Sequence, residues 1–316
     1  MGPDFVSAVI CTRNRSGELR RCLEAMSRQT LPAAQFETIL VDNGSTDATH
    51  EVVMAAAVRQ PNLRYVTEER TGLAIARNTG VRHAAGEIVA FTDDDAEPEP
   101  TWLQRALARY NERPVDCGIV GGEVIPVFET QRPAWLSDAL LRPLSAGLNW
   151  GPVARSIRPG EWLVEVNSIY RKAALAAVGG FPEHLGRSGE SLLSGEGGIN
   201  VVIQRAGWGL FYDPAILVRH HIPAVRLTKA WFRRRSFWQG VSINRLNRFV
   251  EETSARLGFT DPERPGRFWE ELAVPTSPSG WAALFDDDDD MALPGQLVML
   301  EHLGYLLESQ SAVIGR

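Results

Sequence analysis

Four short apolar runs, Phe5–Cys11, Phe36–Val41, Leu63–Thr67 and Glu87–Thr92, alternate with segments of helical periodicity over Gly17–Arg28, Ala48–Arg59 and Gly72–Ala84. Strand–helix alternation at this spacing predicts an α/β fold with a mostly parallel, Rossmann-like sheet and helices on both faces. Each run ends in polar residues. In open α/β sheets ligands bind outside the carboxyl ends of the strands, so the polar tips are expected to meet in one crevice.

The fourth run ends in Asp93-Asp94-Asp95. Three neighbouring carboxylates repel one another unless a positive charge sits among them, and hard oxygen ligands on a short loop suit Mg2+ or Mn2+. The same acids would also serve as a solvated turn capping the helix that opens at Thr101-Trp102-Leu103. No G-x-G-x-x-G follows the first strand and no G-x-x-x-x-G-K-S/T occurs, which disfavours a dinucleotide enzyme and a P-loop NTPase. A net charge of -6 argues against a nucleic-acid binder. Cys11, Cys22 and Cys117 form no C-x-x-C pair, which fits a reducing compartment and excludes a cysteine zinc site. The first residues already read as a core strand rather than a signal peptide, and no run reaches the ~18 apolar residues of a spanning helix. A cytoplasmic location is expected.

Further along, Trp102–Asn111 reads as a helix, Ile119–Val127 and Glu161–Tyr170 as strands, Lys172–Val178 and Ile199–Arg205 as helices, and Leu217-Val218 leads into His220-His221. Glu129–Gly160 is rich in Pro, Trp and Gly without periodicity, and a loop of that length in a compact domain is usually functional or mobile. From Val225 to Phe249 the charged residues are all basic, with Trp231, Phe232, Phe237 and Trp238 interleaved. This stretch fits a packed helical pair with arginines in solvent, docking to an anionic membrane surface, or part of an acceptor pocket or homodimer contact. A Pro-rich linker over Thr260–Gly280, five acids at Asp286–Asp290 and a terminal amphipathic helix carrying Leu297, Leu300, Leu303, Leu306 and Leu307 complete the chain.

In this order, VICTRNR, VDNGSTD, GLAIARNTGV, GEIVAFTDDDA, GGF and LLSGEGG followed by RAGW resemble family 2 glycosyltransferases of the GT-A fold, and LLSGE with VRHHIPAVRLTKAWFRRRSFWQG is most similar to the bacterial exopolysaccharide type. The resemblance covers Phe5 to Leu246. It implies a catalytic domain over residues 1–224 that binds nucleotide sugar and acceptor, with a helical C-terminal extension over 225–316. It also implies inverting transfer of a sugar from a UDP-, GDP- or dTDP-sugar to an acceptor, assisted by Mn2+ or Mg2+ as the charge on the leaving diphosphate grows. Asp93 and Asp95 match the family's D-x-D acids: Asp95 corresponds to the direct metal ligand and Asp93 lies nearer the ribose while sharing the metal. Asp94 joins the nucleotide-sugar-binding group. Asp42 matches the acid that accepts from the nucleobase, with a turn-former as the alternative. Thr12, Arg13 and Asn14 would wall the base pocket. Arg77 would reach the base or the diphosphate unless it is a surface residue. His220 matches a histidine that touches metal or phosphate, with His221 as its competitor. Trp162 and Asn167 fall on the acceptor side, where Trp135, Trp150 and Trp162 would shape the choice among glycan, lipid-linked sugar, peptide and small natural product.

Two departures stand out. The family carries paired acids after a glycine, whereas Gly197 follows Glu196 here, and Glu165 stands where a small residue is usual. Glu196 is the favoured catalytic base and Glu165 the alternative. Loss of the second acid also leaves open a protein that holds a nucleotide sugar and transfers nothing.

Overall fold

The computed structural model describes residues 3–112, 116–158, 161–185, 196–259, 290 and 292–314. Strands β1 (Val6–Thr12), β2 (Phe36–Asp42), β3 (Leu63–Thr67) and β4 (Ile88–Asp93) form the parallel half of one sheet, with β1 between β2 and β4 and β3 outside β2. Residues of β1, β2 and β4 are buried almost without a break, as strands covered on both faces require. Helices α1 (Ser16–Ser27), α2 (Thr49–Ala57) and α3 (Leu73–His83) make the connections. α1 buries Leu19, Cys22, Leu23 and Met26, the face its periodicity specifies. At Gly80, α3 lies so close to β1 that a Cβ would overlap Val9. Register aligns the strand tips: Thr12 is opposite Asp42, and Cys11 is opposite Asp93.

Beyond β4 the sheet is mixed. It continues through β5 (Ala96–Pro98), α4 (Trp102–Glu112), β6 (Cys117–Phe128), β7 (Arg155–Ser156), β8 (Ser168–Arg171), α5 (Lys172–Val178), α6 (Glu196–Arg205) and β9 (Gly209–Ile222). The spatial order is β3-β2-β1-β4-β8-β6-β9-β5, with β7 beside β9. β8 is antiparallel to both β4 and β6, β6 and β9 run parallel, and β5 and β7 run antiparallel to β9. The expected strand over Glu161–Tyr170 is shorter than its apolar pattern suggests. Glu165–Asn167 form a 3-10 turn before β8, held there because the Asn167 amide donates to the carbonyls of Glu123 and Ile216, while its Oδ1 accepts from the Trp102 indole at 2.9 Å.

The Pro- and Trp-rich stretch after β6 is a built structure. It contains 3-10 turns at Asp138–Leu140 and Arg142–Leu144 and an antiparallel bridge between Val124 and Leu148. The Trp150 ring stands edge-on to that of Trp162 at 4.7 Å.

The basic segment is one helix, α7 (Lys229–Arg256), whose cap residue Thr228 accepts from the Trp231 amide. It packs along α8 (Leu293–Ile314). The two backbones touch at a pair of glycines: a Cβ on Gly240 would overlap the Glu301 carbonyl, and one on Gly304 the Phe237 carbonyl. Several of the basic groups are directed at α8 rather than at solvent. Arg245 and Arg248 bind Glu308, and Arg233 donates to Gln296. The linker over Thr260–Gly280 and most of the acidic run lie outside the described residues; Asp290, at its end, pairs with Lys229 at 2.7 Å. Among the described residues, no helix is long and apolar enough to cross a membrane.

Candidate active site

The carboxyl ends of β1 and β4 face the end of β9 across a cleft of about 550 Å³. Alternation along β9 separates its two histidines, since neighbouring residues of a strand point to opposite faces. His220, 2% exposed, directs Nε2 to Asp95 Oδ1 at 3.1 Å, whereas His221 pairs with Glu97 at 2.6 Å. Of the two histidines left open by the sequence, His220 therefore faces the acids. Asp93, Asp95 and His220 bring one ligand atom each within 4.8 Å of one another, the one such group among the described residues. Two carboxylate oxygens and an imidazole nitrogen make a donor set that suits Mn2+ and is compatible with Mg2+.

Arginines surround these acids. Arg15, in the loop after β1, sets Nη1 2.8 Å from Asp94 Oδ1 and Nη2 2.8 Å from Asp95 Oδ2. Arg226 approaches Asp95 from the turn before α7 at 3.5 Å, and Arg77 approaches Asp93 from α3 at 3.6 Å. Burial alone would raise Asp95, but His220 and the guanidinium groups of Arg15 and Arg226 outweigh it and hold the carboxyl well below the usual range. Asp94 behaves oppositely: burial pushes it up to about 7, against Arg15 and with Asp95 adding to the rise. Cys11 also lines the cleft; burial pushes its thiol up to about 12, so it is no nucleophile at neutral pH. The lining carries four guanidinium groups (Arg13, Arg15, Arg226, Arg235) and four carboxyl groups (Glu18, Asp93, Asp94, Asp95). Fully ionised, these cancel, so one divalent cation would give the cleft the excess positive charge that a diphosphate neutralises.

Of the residues singled out from sequence, Thr12, Arg13, Asp93, Asp94, Asp95 and His220 line this cleft. Asp94 is an internal tie, its oxygens taken by Thr12 Oγ1 at 2.8 Å and by Arg15. Asp42 lies buried behind the cleft wall, accepting from the Ser45 amide and from the Tyr65 hydroxyl at 2.6 Å. Asn14 adopts a left-handed backbone, and its Oδ1 accepts from the Thr46 amide, so it joins the β1 and β2 loops rather than walling a pocket. Arg77 is buried in α3, not a surface residue.

The residues expected on the acceptor side do not line this cleft. Asn167 is 1% exposed and its amide is wholly committed to Trp102, Glu123 and Ile216, so it is not brought to the cleft. Trp162 packs against Trp150, and the Arg142 guanidinium lies 4.1 Å from its ring centre, covering one face of the indole. Glu165 is also 1% exposed and accepts from the Tyr170 hydroxyl at 3.3 Å; it does not line the cleft. Glu196 opens α6, one turn before Asn200, and its side chain lies outside the described residues.

Arg15, Arg226 and Arg235 were not singled out from sequence. Arg15 lies within the VICTRNR motif and the other two within the basic stretch, but neither pattern says which arginine lines the cleft.

Sequence comparison matches residues 7–160 to the model of Glycosyl transferase family 2. The N-terminal half of the chain is similar to glycosyltransferase family 2. The family 2 match takes in β1 to β7, while β8, β9 and His220 lie beyond it. Glycosyltransferase AglE of Haloferax volcanii is 32% identical over 190 residues, and the chain spans 59% of that relative's length as well as 59% of its own. Glucosyl-dolichyl phosphate glucuronosyltransferase of the same organism is 25% identical over 247 residues, 75% of each chain. Among solved structures, the mannosyltransferase PcManGT from Pyrobaculum calidifontis, in complex with GDP-Man and Mn2+, superposes with a TM-score of 0.57 at 21% identity, covering 97% of this chain and 88% of that one. At that identity the likeness is one of fold, and the fold is GT-A with a helical C-terminal region.

Proposed function

We propose that this chain is a family 2 glycosyltransferase that moves a sugar from a nucleoside diphosphate sugar to an acceptor hydroxyl, with inversion at the anomeric carbon. The observation that carries the reading is the convergence of Asp93, Asp95 and His220 in a cleft lined by four arginines. Asp93, Asp95 and His220 would hold a divalent cation, Mn2+ or Mg2+, which when bound would stabilise the negative charge of a departing diphosphate. Arg15 and Arg226 orient Asp95 and supply further positive charge beside the phosphates. Asp42, with Arg13 and Thr12 of the cleft lining, is assigned to the nucleobase. A base carboxylate takes the acceptor proton as the acceptor oxygen bonds to the anomeric carbon and the bond to the diphosphate oxygen breaks. Glu196 is assigned that role; the burial of Glu165 beneath Tyr170 argues for a supporting part instead.

Residues 1–224 would form the catalytic unit and 225–316 the helical extension. The relative acting on a glucosyl-dolichyl phosphate favours a lipid-linked sugar as acceptor, with peripheral contact at a membrane surface. The replacement of a family acid by Gly197 favours a second reading, a protein that binds the donor without transfer. One experiment addresses both. A thermal-shift screen of UDP-, GDP-, dTDP- and CDP-sugars with Mn2+ is expected to give a raised melting temperature for one nucleotide, by mass action. Release of nucleoside diphosphate is then measured for the wild type and Asp95→Ala, where turnover should fall by about 100-fold or more. Binding without release would establish the second reading, and turnover spared in Asp95→Ala would remove the first.

A further inference from the structure

The stretch after β6 reaches the floor of the cleft at one atom. His220 Nδ1 stands 3.2 Å from the main-chain carbonyl oxygen of Ser145. A carbonyl only accepts, so Nδ1 carries a hydrogen here; Nε2 faces Asp95 Oδ1 at 3.1 Å, donating to that carboxylate when it too holds a hydrogen and offering its lone pair to a cation beside Asp95 when it gives that hydrogen up. We infer that Ser145 is a positioning residue of the cation site, its carbonyl fixing the ring and tautomer of His220 so that Nε2 is presented beside Asp95. The inference rests on the reading of Asp93, Asp95 and His220 as a cation site.

The backbone that delivers this carbonyl is unusual. Ser145 has φ 54° and ψ 39°, the left-handed region that a Cβ disfavours. Apart from Asn14, it is the only non-glycine residue with positive φ among the described residues. Such conformations persist where the surroundings over-determine them, and here they do. The Ser145 amide donates to the Arg142 carbonyl at 2.9 Å, closing the 3-10 turn on one side. On the other, the Gly147 amide donates to Val124 and the Val124 amide donates to Leu148, which ties the segment to β6. β6 in turn pairs with β9 so that Pro126 is opposite His220. One strand therefore holds both the histidine and the carbonyl that orients it. A metal-bound imidazole whose second nitrogen donates to a main-chain carbonyl has its orientation fixed from outside the ligand shell, and losing that partner costs about 10- to 100-fold in metal affinity.

The test compares the full chain with Ser145→Gly, Ser145→Val and His220→Gln, each first shown to be folded by a thermal melt in EDTA. Mn2+ affinity is read from the electron paramagnetic resonance signal of the free ion. Glycine adopts the left-handed backbone freely, so Ser145→Gly should bind Mn2+ within about threefold of wild type. A β-branched residue resists it, and Ser145→Val should bind about tenfold or more weakly. A loss common to both variants, or a folded Ser145→Val that binds as well as wild type, would overturn the proposal. Nitrogen-15 NMR of the metal-free protein, with His220 assigned by the signal missing in His220→Gln, should show a proton on Nδ1. A neutral ring with its proton on Nε2 alone would overturn the proposal even if Ser145→Val fails to fold. Wild-type protein that binds no Mn2+ would remove the cation reading itself and this inference with it, an outcome distinct from wild-type binding that Ser145 does not influence.

Discussion

Nη2 of Arg15 stands 2.8 Å from Oδ2 of Asp95, while Nη1 of the same guanidinium holds Asp94. One side chain thus bridges two acids that are each almost wholly buried. Replacing Arg15 by Gln leaves both carboxyls facing each other without it. Arg15 is partly exposed, which moderates the penalty, so the metal-free protein should lose about 2 kcal/mol of stability. With one positive charge fewer beside them, the acids should also attract cations more strongly, so the rise in melting temperature on adding Mn2+ should exceed that of wild type. Paired melts in EDTA and in Mn2+ check both; an unchanged EDTA melt would mean that Arg15 does not stabilise the pair.

Asp94 makes stability depend on pH in a defined direction. Its carboxyl titrates near 7 in the folded protein against about 4 in the unfolded chain. Between those values the folded state binds more protons, so the contribution is complete below about pH 4 and is lost as the pH rises through about 7. Asp94→Asn cannot ionise and should lack this decline. Urea unfolding in EDTA from pH 4.5 to 7.5 gives the two slopes; identical slopes would refute the assignment.

Arg226 reaches Asp95 from the turn that precedes α7 and lines the cleft. As a phosphate-binding group it should be worth one charged hydrogen bond. Arg226→Gln should therefore weaken nucleoside diphosphate binding in Mn2+ by about tenfold and flatten its salt dependence. Calorimetric titration at two ionic strengths measures both effects, and unchanged affinity would remove Arg226 from the diphosphate site.

Gly240 and Gly304 let α7 and α8 meet backbone to backbone. A methyl group at either position must push the helices apart. Gly240→Ala should cost about 1–3 kcal/mol by overpacking and expose the α7–α8 junction to protease. Limited proteolysis with a denaturant titration follows both, and a variant as resistant as wild type would contradict the close approach.

The parallel half of the sheet was legible because β1, β2 and β4 are near-continuous apolar runs, and the acids that end β4 stood out by charge alone. β5 was hidden: Pro98 and its flanking glutamates look like loop, yet an edge strand tolerates proline and takes its pairing from β9. β9 itself is interrupted in sequence by Asp213-Pro214 and ends in polar residues, so only its last turn toward the histidines was visible. His220 and His221 differ by one position, and only the pleat decides which faces Asp95. The direction of several arginines on α7 depends on α8, some sixty residues away in sequence, as with Arg245 and Glu308. Asn167 looks like a surface contact until the packing around it is known.

Asp95 is gripped twice by β9, through its carboxylate by His220 and through its carbonyl, which accepts the His221 amide at 2.9 Å. The turn after β4 therefore cannot change shape unless the edge of the sheet unzips. Such an anchored base lets the surrounding walls drift over evolutionary time, or be swapped by an engineer, while the charged triad beneath keeps its spacing.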